Sequence, residues 1–214
     1  MEVLKVSGNN LFHLFVNAIS IFIENHGYSK MKRHPFFYKS FQDDIIGFIT
    51  FTKASCGKSN ATYVNIGMGI AKQDVERIIL KLQGIETDCY PICNSFFNIS
   101  DVYSEYSYSD FEWLIKDQNS INYACEKAQH VITELINPYY SNHCNLDSYR
   151  QLIINNIIAG RDYKDKVVPV LHYIEGNEDL GLDYINRRIK ESKNAYQGEL
   201  DRRFIEGFRT IASK

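Results

Sequence analysis

The amino-acid sequence predicts an α+β fold, with an N-terminal helix packed on a small antiparallel sheet and an α-helical C-terminal part made of helical hairpins. Hydrophobic residues alternate along residues 44–53 and 61–71, which is typical of strands. They recur at i, i+3 and i+4 before residue 27 and after residue 119, which is typical of helices. The 214 residues are 44% hydrophobic and 23% charged, a composition that supports a globular core without disulfide bonds.

The first predicted element is an amphipathic helix near the N-terminus. Its apolar run, residues 11–23, is too short to span a bilayer and is interrupted by His13, Asn17 and Ser20. The run also lacks the basic segment and the small-residue cleavage site of a signal peptide. Gly27 is expected to end the helix. We therefore predict a cytoplasmic protein without a membrane partner.

Three antiparallel strands are predicted next, at residues 36–41, 44–53 and 61–71. The loop before the third strand reads "KASCGKSN" (53–60) and contains the Gly-Lys-Ser with which a phosphate-binding P-loop ends. A P-loop needs a glycine at the position of Thr52 and a helix after the loop, where this chain alternates like a strand. The stretch is therefore predicted to be a polar turn and not a phosphate site.

The rest of the chain is predicted to be mainly helical. Residues 72–82 form either a short helix or an irregular strand extension, and a last strand is expected within 88–100. A helix begins near Ser120 and is expected to end at Pro138. Further helices are predicted at residues 145–160, 163–176, 177–192 and 194–213. We accordingly divide the chain into an α+β domain, 1–140, and a helical C-terminal region, 141–214, packed on the first.

Neither the cysteines nor the histidines define a catalytic or metal site. Five scattered cysteines indicate reduced thiols and not a secreted disulfide framework. A zinc site built from Cys89, Cys93, His143 and Cys144 is conceivable, but two ordinary buried thiols explain the first pair better. No hydrolase elbow or His-Glu-x-x-His motif is present. We therefore predict no catalytic residue, no metal and no cofactor.

The most unusual stretch is "SDVYSEYSYSDFEWLIKD" at residues 100–117, here called the acid–aromatic segment. Residues 101–140 contain seven carboxylates and two lysines, a net charge of −5 in a chain whose formal net charge is −2. Carboxylates among aromatic residues suit a surface that binds a basic protein. The alternative is a solvated acidic loop whose aromatic residues, with Trp113 and Leu114 as core anchors, fold back onto the protein. The predicted interface residues are Asp101, Tyr103, Glu105, Tyr106, Tyr108, Asp110, Glu112 and Asp117.

The order of these features resembles an uncharacterised family of bacterial domains of unknown function. The similarity covers about residues 10–150 and is carried by the helix ending in Gly27-Tyr28, the aromatic strand at 36–38, the Lys-x-Ser of 53–55 and the "VNIG" of 64–67. The helical tail lies outside it. The resemblance implies the α+β fold and brings no catalytic residues. Small acidic bacterial α+β domains of this type also resemble the immunity proteins of toxin systems.

The sequence therefore predicts a non-enzymatic protein-binding domain. Our specific hypothesis is a bacterial immunity protein that binds and neutralises a basic toxin domain through the acidic, aromatic surface. A nucleic-acid partner is not expected, because the chain has no basic excess. The alternative is an enzyme of unknown activity whose pocket is assembled from dispersed residues. The oligomeric state is left open.

Overall fold

The computed structural model describes residues 7–31, 35–57, 60–88, 90–94, 96–155, 161–191 and 196–213. It has an N-terminal helix, a small antiparallel sheet and a series of C-terminal helices, which confirms the predicted α+β class. Within these residues, no helix combines the length and apolar character needed to cross a membrane.

The helices are α1 (Gly8–Asn25), α2 (Gln73–Leu82), α3 (Gln118–Val131), α4 (Asn137–His143), α5 (Leu146–Ile154), α6 (Arg161–Ile174), α7 (Glu178–Glu191) and α8 (Glu199–Ala212). The strands are β1 (Ser29–Lys30), β2 (Phe36–Ser40), β3 (Ile45–Ser55), β4 (Thr62–Lys72), β5 (Phe96–Phe97) and β6 (Glu112–Ile115). They form one sheet in the order β1-β2-β3-β4-β5, and β6 also pairs with β4. Residues 72–82, left open between helix and strand by the sequence, are therefore mainly helical.

The chain folds into two compact units that interleave along the sequence. The first unit comprises the chain up to Ser40, Gly47–Gly69 and Phe97–Cys144. The second comprises Phe41–Ile46, Ile70–Phe96 and the chain from Asn145 onwards. The C-terminal helices thus share a unit with α2 and the loop after α2. In the division predicted from the sequence, α2 and this loop belong to the N-terminal domain.

The first unit is built on α1 and the sheet. Ser7 caps α1 by accepting a hydrogen bond from the Asn10 amide, and Gly27 follows the helix with a φ of 83°, a conformation that favours glycine. The ring of Phe15 on α1 packs edge-on against Phe51 of β3, with centroids 5.1 Å apart. Residues 45–51 of β3 are all buried, so both faces of this strand are covered and not only one.

The loop "KASCGKSN" joins β3, which ends at Ser55, to β4, which begins at Thr62. Lys58 and Ser59 lie outside the described residues. A strand follows where a P-loop requires the N-terminus of a helix, as predicted. The residues from Thr62 onwards therefore do not present the helix N-terminal amides that hold a phosphate in a P-loop.

The prediction that a helix ends at Pro138 is wrong. The chain stays helical from α3 to α4 through a π turn, Ile132–Ile136, and Pro138 follows this turn. The Asn137 N–H donates to the Ile132 carbonyl, five residues back, so the shifted hydrogen bonds of the π turn accommodate a residue that has no N–H. This continuation places Tyr140 against the sheet, where its hydroxyl donates to the Phe48 carbonyl and accepts from the Gly69 amide at 3.2 Å. A Cβ at Gly47 would come within 2.9 Å of the Tyr140 ring, so this position has no room for a side chain.

The second unit contains a buried ion pair among its helices. Asp165 of α6 accepts two hydrogen bonds from the Arg188 guanidinium of α7, at 2.7 and 2.9 Å, and one from the Tyr184 hydroxyl at 2.8 Å. The Tyr196 hydroxyl donates to the Asp165 backbone carbonyl at 2.5 Å. Asp165 is only 4% exposed, so this network joins α6, α7 and the segment before α8 in a dry environment.

Candidate functional site

The acid–aromatic segment connects two strands that pair with the same neighbour. β5 precedes it, β6 contains its last residues, and both strands pair with β4. In the antiparallel β4–β6 register, Tyr63 lies opposite Leu114 and Asn65 opposite Glu112. The sheet thus fixes both ends of the segment, and β6 is a strand that the sequence analysis missed.

Three of the predicted interface carboxylates hold the segment's own turns in place. Asp101 accepts the Asn98 amide at 2.8 Å, Asp110 accepts the Ser107 amide at 2.7 Å, and Asp117 accepts the Ser120 amide at 2.8 Å. The backbone hydrogen bond from Ser107 is the main cause that lowers the pKa of Asp110, and the one from Ser120 does the same for Asp117. The first role of these exposed aspartates is to cap 3₁₀ turns and α3.

Glu105 and Glu112 are different, because their carboxylates make no hydrogen bond or ion pair within the part of the chain that the structure describes. Glu105 is exposed and Glu112 is half-buried on β6. Their charges therefore lack a local partner. Of the five carboxylates predicted for the interface, these two are the ones most available to an external cation.

The tyrosines also divide into anchoring and exposed ones. Tyr103 is half-buried, donates its hydroxyl to the Leu135 carbonyl at 3.0 Å and packs edge-on against Tyr139, so it ties the segment to the protein. Tyr106 lies against the buried Phe111 ring, with centroids 5.5 Å apart, and is 37% exposed. Tyr108 is 49% exposed. The last two present aromatic surface to solvent.

The alternative interpretation of the acid–aromatic segment makes Trp113 and Leu114 core anchors, and the structure supports this role only for Trp113. Trp113 is buried, whereas Leu114 is 43% exposed, because successive side chains of β6 point to opposite faces. Leu114 therefore points to the same side as Glu112 and has Tyr63 of β4 as its cross-strand neighbour. No local pattern in the sequence indicates that Leu114 extends the exposed surface, because its orientation depends on the pairing of β6 with β4.

The second unit contains a cleft of about 410 Å³ along α2 and the loop after it. It is lined by Arg77, Leu80, Lys81, Gly84, Ile85, Glu86, Thr87, Asp88, Tyr90 and Ile92. Its two cationic side chains are balanced by two carboxylates, so the charge of the lining does not select a cationic or an anionic ligand. No histidine or cysteine is among the described residues of the lining.

A buried carboxyl lies on another face of α2. Glu76 is 0% exposed, accepts the Asn94 amide nitrogen at 2.7 Å and accepts the Tyr163 hydroxyl of α6. Burial raises the pKa of Glu76 from 4.5 to about 7, even though the hydrogen bonds from Tyr163 and Asn94 act in the opposite direction. Glu76 is not among the residues that line the cleft, so its shifted pKa does not by itself indicate a catalytic group there.

The described residues contain no group of three or more histidine, cysteine or acidic side chains arranged to bind a metal ion. Cys89, one member of the zinc site considered from the sequence, lies outside the described residues. The thiols of Cys56, Cys93, Cys125 and Cys144 form no disulfide in this structure. Burial raises the pKa of Cys125 to about 11 and that of Cys144 still further, so neither is an activated thiolate.

The fold and this surface describe an α+β protein with an exposed, anionic and aromatic segment on one edge of its sheet. Comparison of the chain with protein-family models, with curated proteins and with solved structures finds no match. The resemblance to a bacterial family of unknown function therefore stays a prediction from the sequence.

Proposed function

We propose that this protein is a non-enzymatic binding domain that captures a basic protein through its acid–aromatic segment. The observation that carries the proposal is the combination of two unpaired carboxylates, Glu105 and Glu112, with two exposed tyrosines, Tyr106 and Tyr108. Tyrosine offers a large contact area at low cost in side-chain entropy, and unpaired carboxylates steer a cationic partner.

The rest of the segment supports this role by holding the contact residues in place. The aspartate caps, the Tyr103 anchor and the two flanking strands limit the conformations that the segment can adopt. A pre-ordered surface loses less entropy on binding than a flexible loop of the same composition. In the specific form of the proposal, the partner is a toxin with a basic active site, and this protein is its immunity protein.

The enzyme alternative has weaker support. A catalytic pocket is expected to expose groups with shifted pKa values to its substrate. The cleft in the second unit is lined by Glu86 and Asp88, but the carboxyl with the shifted pKa, Glu76, is buried on another side of α2. We therefore do not assign a reaction to the cleft.

The proposal predicts that charge reversal at the two unpaired carboxylates weakens binding. The partner is first captured from a lysate of the source organism with the wild-type protein, identified by mass spectrometry and purified. Its affinity for the double variant Glu105→Lys/Glu112→Lys should fall on the order of tenfold at low salt, because attraction becomes repulsion. The loss should shrink at 0.5 M salt, where exposed charges are screened within a few ångströms.

The matched control is Glu126→Lys/Glu134→Lys, which makes the same change in net charge at exposed helical positions of the first unit. This control should bind almost as well as the wild type. Equal loss in both variants would show that net charge alone attracts the partner. Unchanged binding by the Glu105/Glu112 variant would refute the assignment of the surface.

A further inference from the structure

We propose that Glu76 is a proton-operated latch that holds the loop segment 90–94 against α2 when neutral and releases it when ionised. The segment forms part of one wall of the cleft, through Tyr90 and Ile92. The latch lies in the second unit and is independent of the binding role proposed for the acid–aromatic segment. It would change the shape of the cleft in response to pH.

The geometry shows how the loop is fastened. Two side chains of α2, one turn apart, hold two neighbouring parts of the loop. The Gln73 amide donates to the Ile92 carbonyl at 2.6 Å and accepts the Ile92 amide at 2.8 Å. The Glu76 carboxyl accepts the side-chain amide of Asn94 at 2.7 Å. Gln73 has no titratable group, so only the second of these attachments can respond to pH.

The carboxyl is placed where its charge is costly. Glu76 is fully buried and makes no ion pair with any residue that the structure describes. Two neutral donors, Asn94 and Tyr163, are its hydrogen-bond partners, and burial outweighs them in setting its pKa. The least costly way to hydrate an ionised Glu76 is to move the loop, because Tyr163 is part of a helix and Asn94 is not.

The groups near Glu76 do not supply a compensating charge. Tyr163 of α6 and Tyr149 of α5 have pKa values raised by burial and, secondarily, by Glu76, so both stay neutral over the relevant pH range. The Tyr149 hydroxyl lies near the Lys72 backbone and makes no hydrogen bond of normal geometry with a described residue. The Cys93 thiol of the loop is a further, smaller cause that raises the pKa of both tyrosines.

The nearby cations are already bound to other carboxylates. Lys72, just before α2, pairs with Asp74 at 2.8 Å, and Arg77 pairs with Asp44 at 2.6 Å. On α8, which packs against α2, Arg203 pairs with Glu199 at 2.5 Å. Ionisation of Glu76 therefore adds a negative charge that none of these cations is free to neutralise.

The test is hydrogen exchange at the amides of Ile92, Cys93 and Asn94, compared between the wild type and Glu76→Gln at equal pH so that intrinsic rates cancel. The ratio of the wild-type exchange rate to the Glu76→Gln rate should be lowest near pH 4.5. It should rise by up to about tenfold for each pH unit between pH 4.5 and about 7, where only the open state has released the proton, and should level off above about pH 7. Glu86→Gln, which alters an exposed carboxyl of the same cleft, should behave as the wild type.

Tyr163→Phe gives an independent readout if Glu76→Gln does not fold. The substitution removes a hydrogen bond that favours the ionised carboxyl in the closed state, so the pH at which the rise in exchange levels off should move upward. Equal exchange in the wild type and Glu76→Gln at pH 8.5, or the same pH-dependent rise in both, would overturn the proposal. A Tyr163→Phe variant that exchanges faster than the wild type by the same factor at every pH would also overturn the proposal.

Discussion

Replacing Asp165 with alanine is expected to lower the free energy of unfolding by about 3–5 kcal/mol, the usual cost of removing one partner of a buried ion pair. Among the described residues, Arg188 then keeps only a longer contact, 3.5 Å, with the exposed Glu191. The Arg188 side chain is 11% exposed, so it cannot regain water without rearranging the helices. The substitution also removes the acceptor of the Tyr184 hydroxyl. Urea unfolding of the whole protein, followed by circular dichroism, measures the effect.

The matched control is Asp183→Ala on α7. Asp183 is exposed, and its carboxylate makes no hydrogen bond or ion pair with a residue that the structure describes, so its replacement should change stability by no more than about 0.5 kcal/mol. The double variant Asp165→Ala/Arg188→Ala should lose less stability than the two single variants together, because Arg188→Ala removes the charge that Asp165→Ala deprives of its buried partner. A loss below about 1 kcal/mol for Asp165→Ala would contradict a buried pair.

The second large effect concerns pH. Going from pH 4.5 to pH 8, Glu76→Gln should gain about 3 kcal/mol of stability relative to the wild type, because glutamine does not titrate. The pKa of Glu76 is raised from 4.5 to about 7 in the folded protein. Between these values the folded state keeps a proton that the unfolded state has released, so the wild type loses stability as pH rises. Above about pH 7 the difference is constant.

The measurement is urea unfolding of both proteins at several pH values from 4.5 to 8. At each pH, the free energy of unfolding of the wild type is subtracted from that of the variant, and the change of this difference with pH is the result. The subtraction cancels the titration of all other groups, and any fixed cost of the substitution does not change with pH. Glu86→Gln should show no such change. A difference that stays flat with pH would mean that the Glu76 carboxyl is as easily ionised in the folded protein as in water.

Elements defined by local periodicity could be predicted from the sequence. The helical spacing of residues 11–23 corresponds to α1, and the alternation of residues 44–53 and 61–71 corresponds to β3 and β4. β6 could not be predicted, because its four residues become a strand only by pairing with residues 62–65, about fifty positions earlier in the chain. The π turn was missed because a helix can shift its hydrogen bonds and continue past a proline.

The acid–aromatic segment and the buried polar residues of α2 also contain features that could not be predicted from the sequence. The sequence identified the acid–aromatic segment, but could not show that Asp101 and Asp110 cap turns while Glu105 has no local partner. In α2, Gln73 and Glu76 look like solvent-exposed helix residues. Both are 0% exposed, because the loop that carries Ile92 and Asn94 lies over them and α6 adds Tyr163. Burial of polar groups by distant chain segments leaves no local pattern.

The most direct test of the binding role is site-specific photocrosslinking. The photoreactive residue p-benzoylphenylalanine would replace Tyr108 in one variant and Tyr123 in another, two tyrosines of the same unit with similar exposure, 49% and 55%. After irradiation in the source organism, we expect a single crosslinked protein at position 108, attached through a segment rich in lysine or arginine, and none at position 123. No crosslink at position 108, or the same products at both positions, would contradict the account.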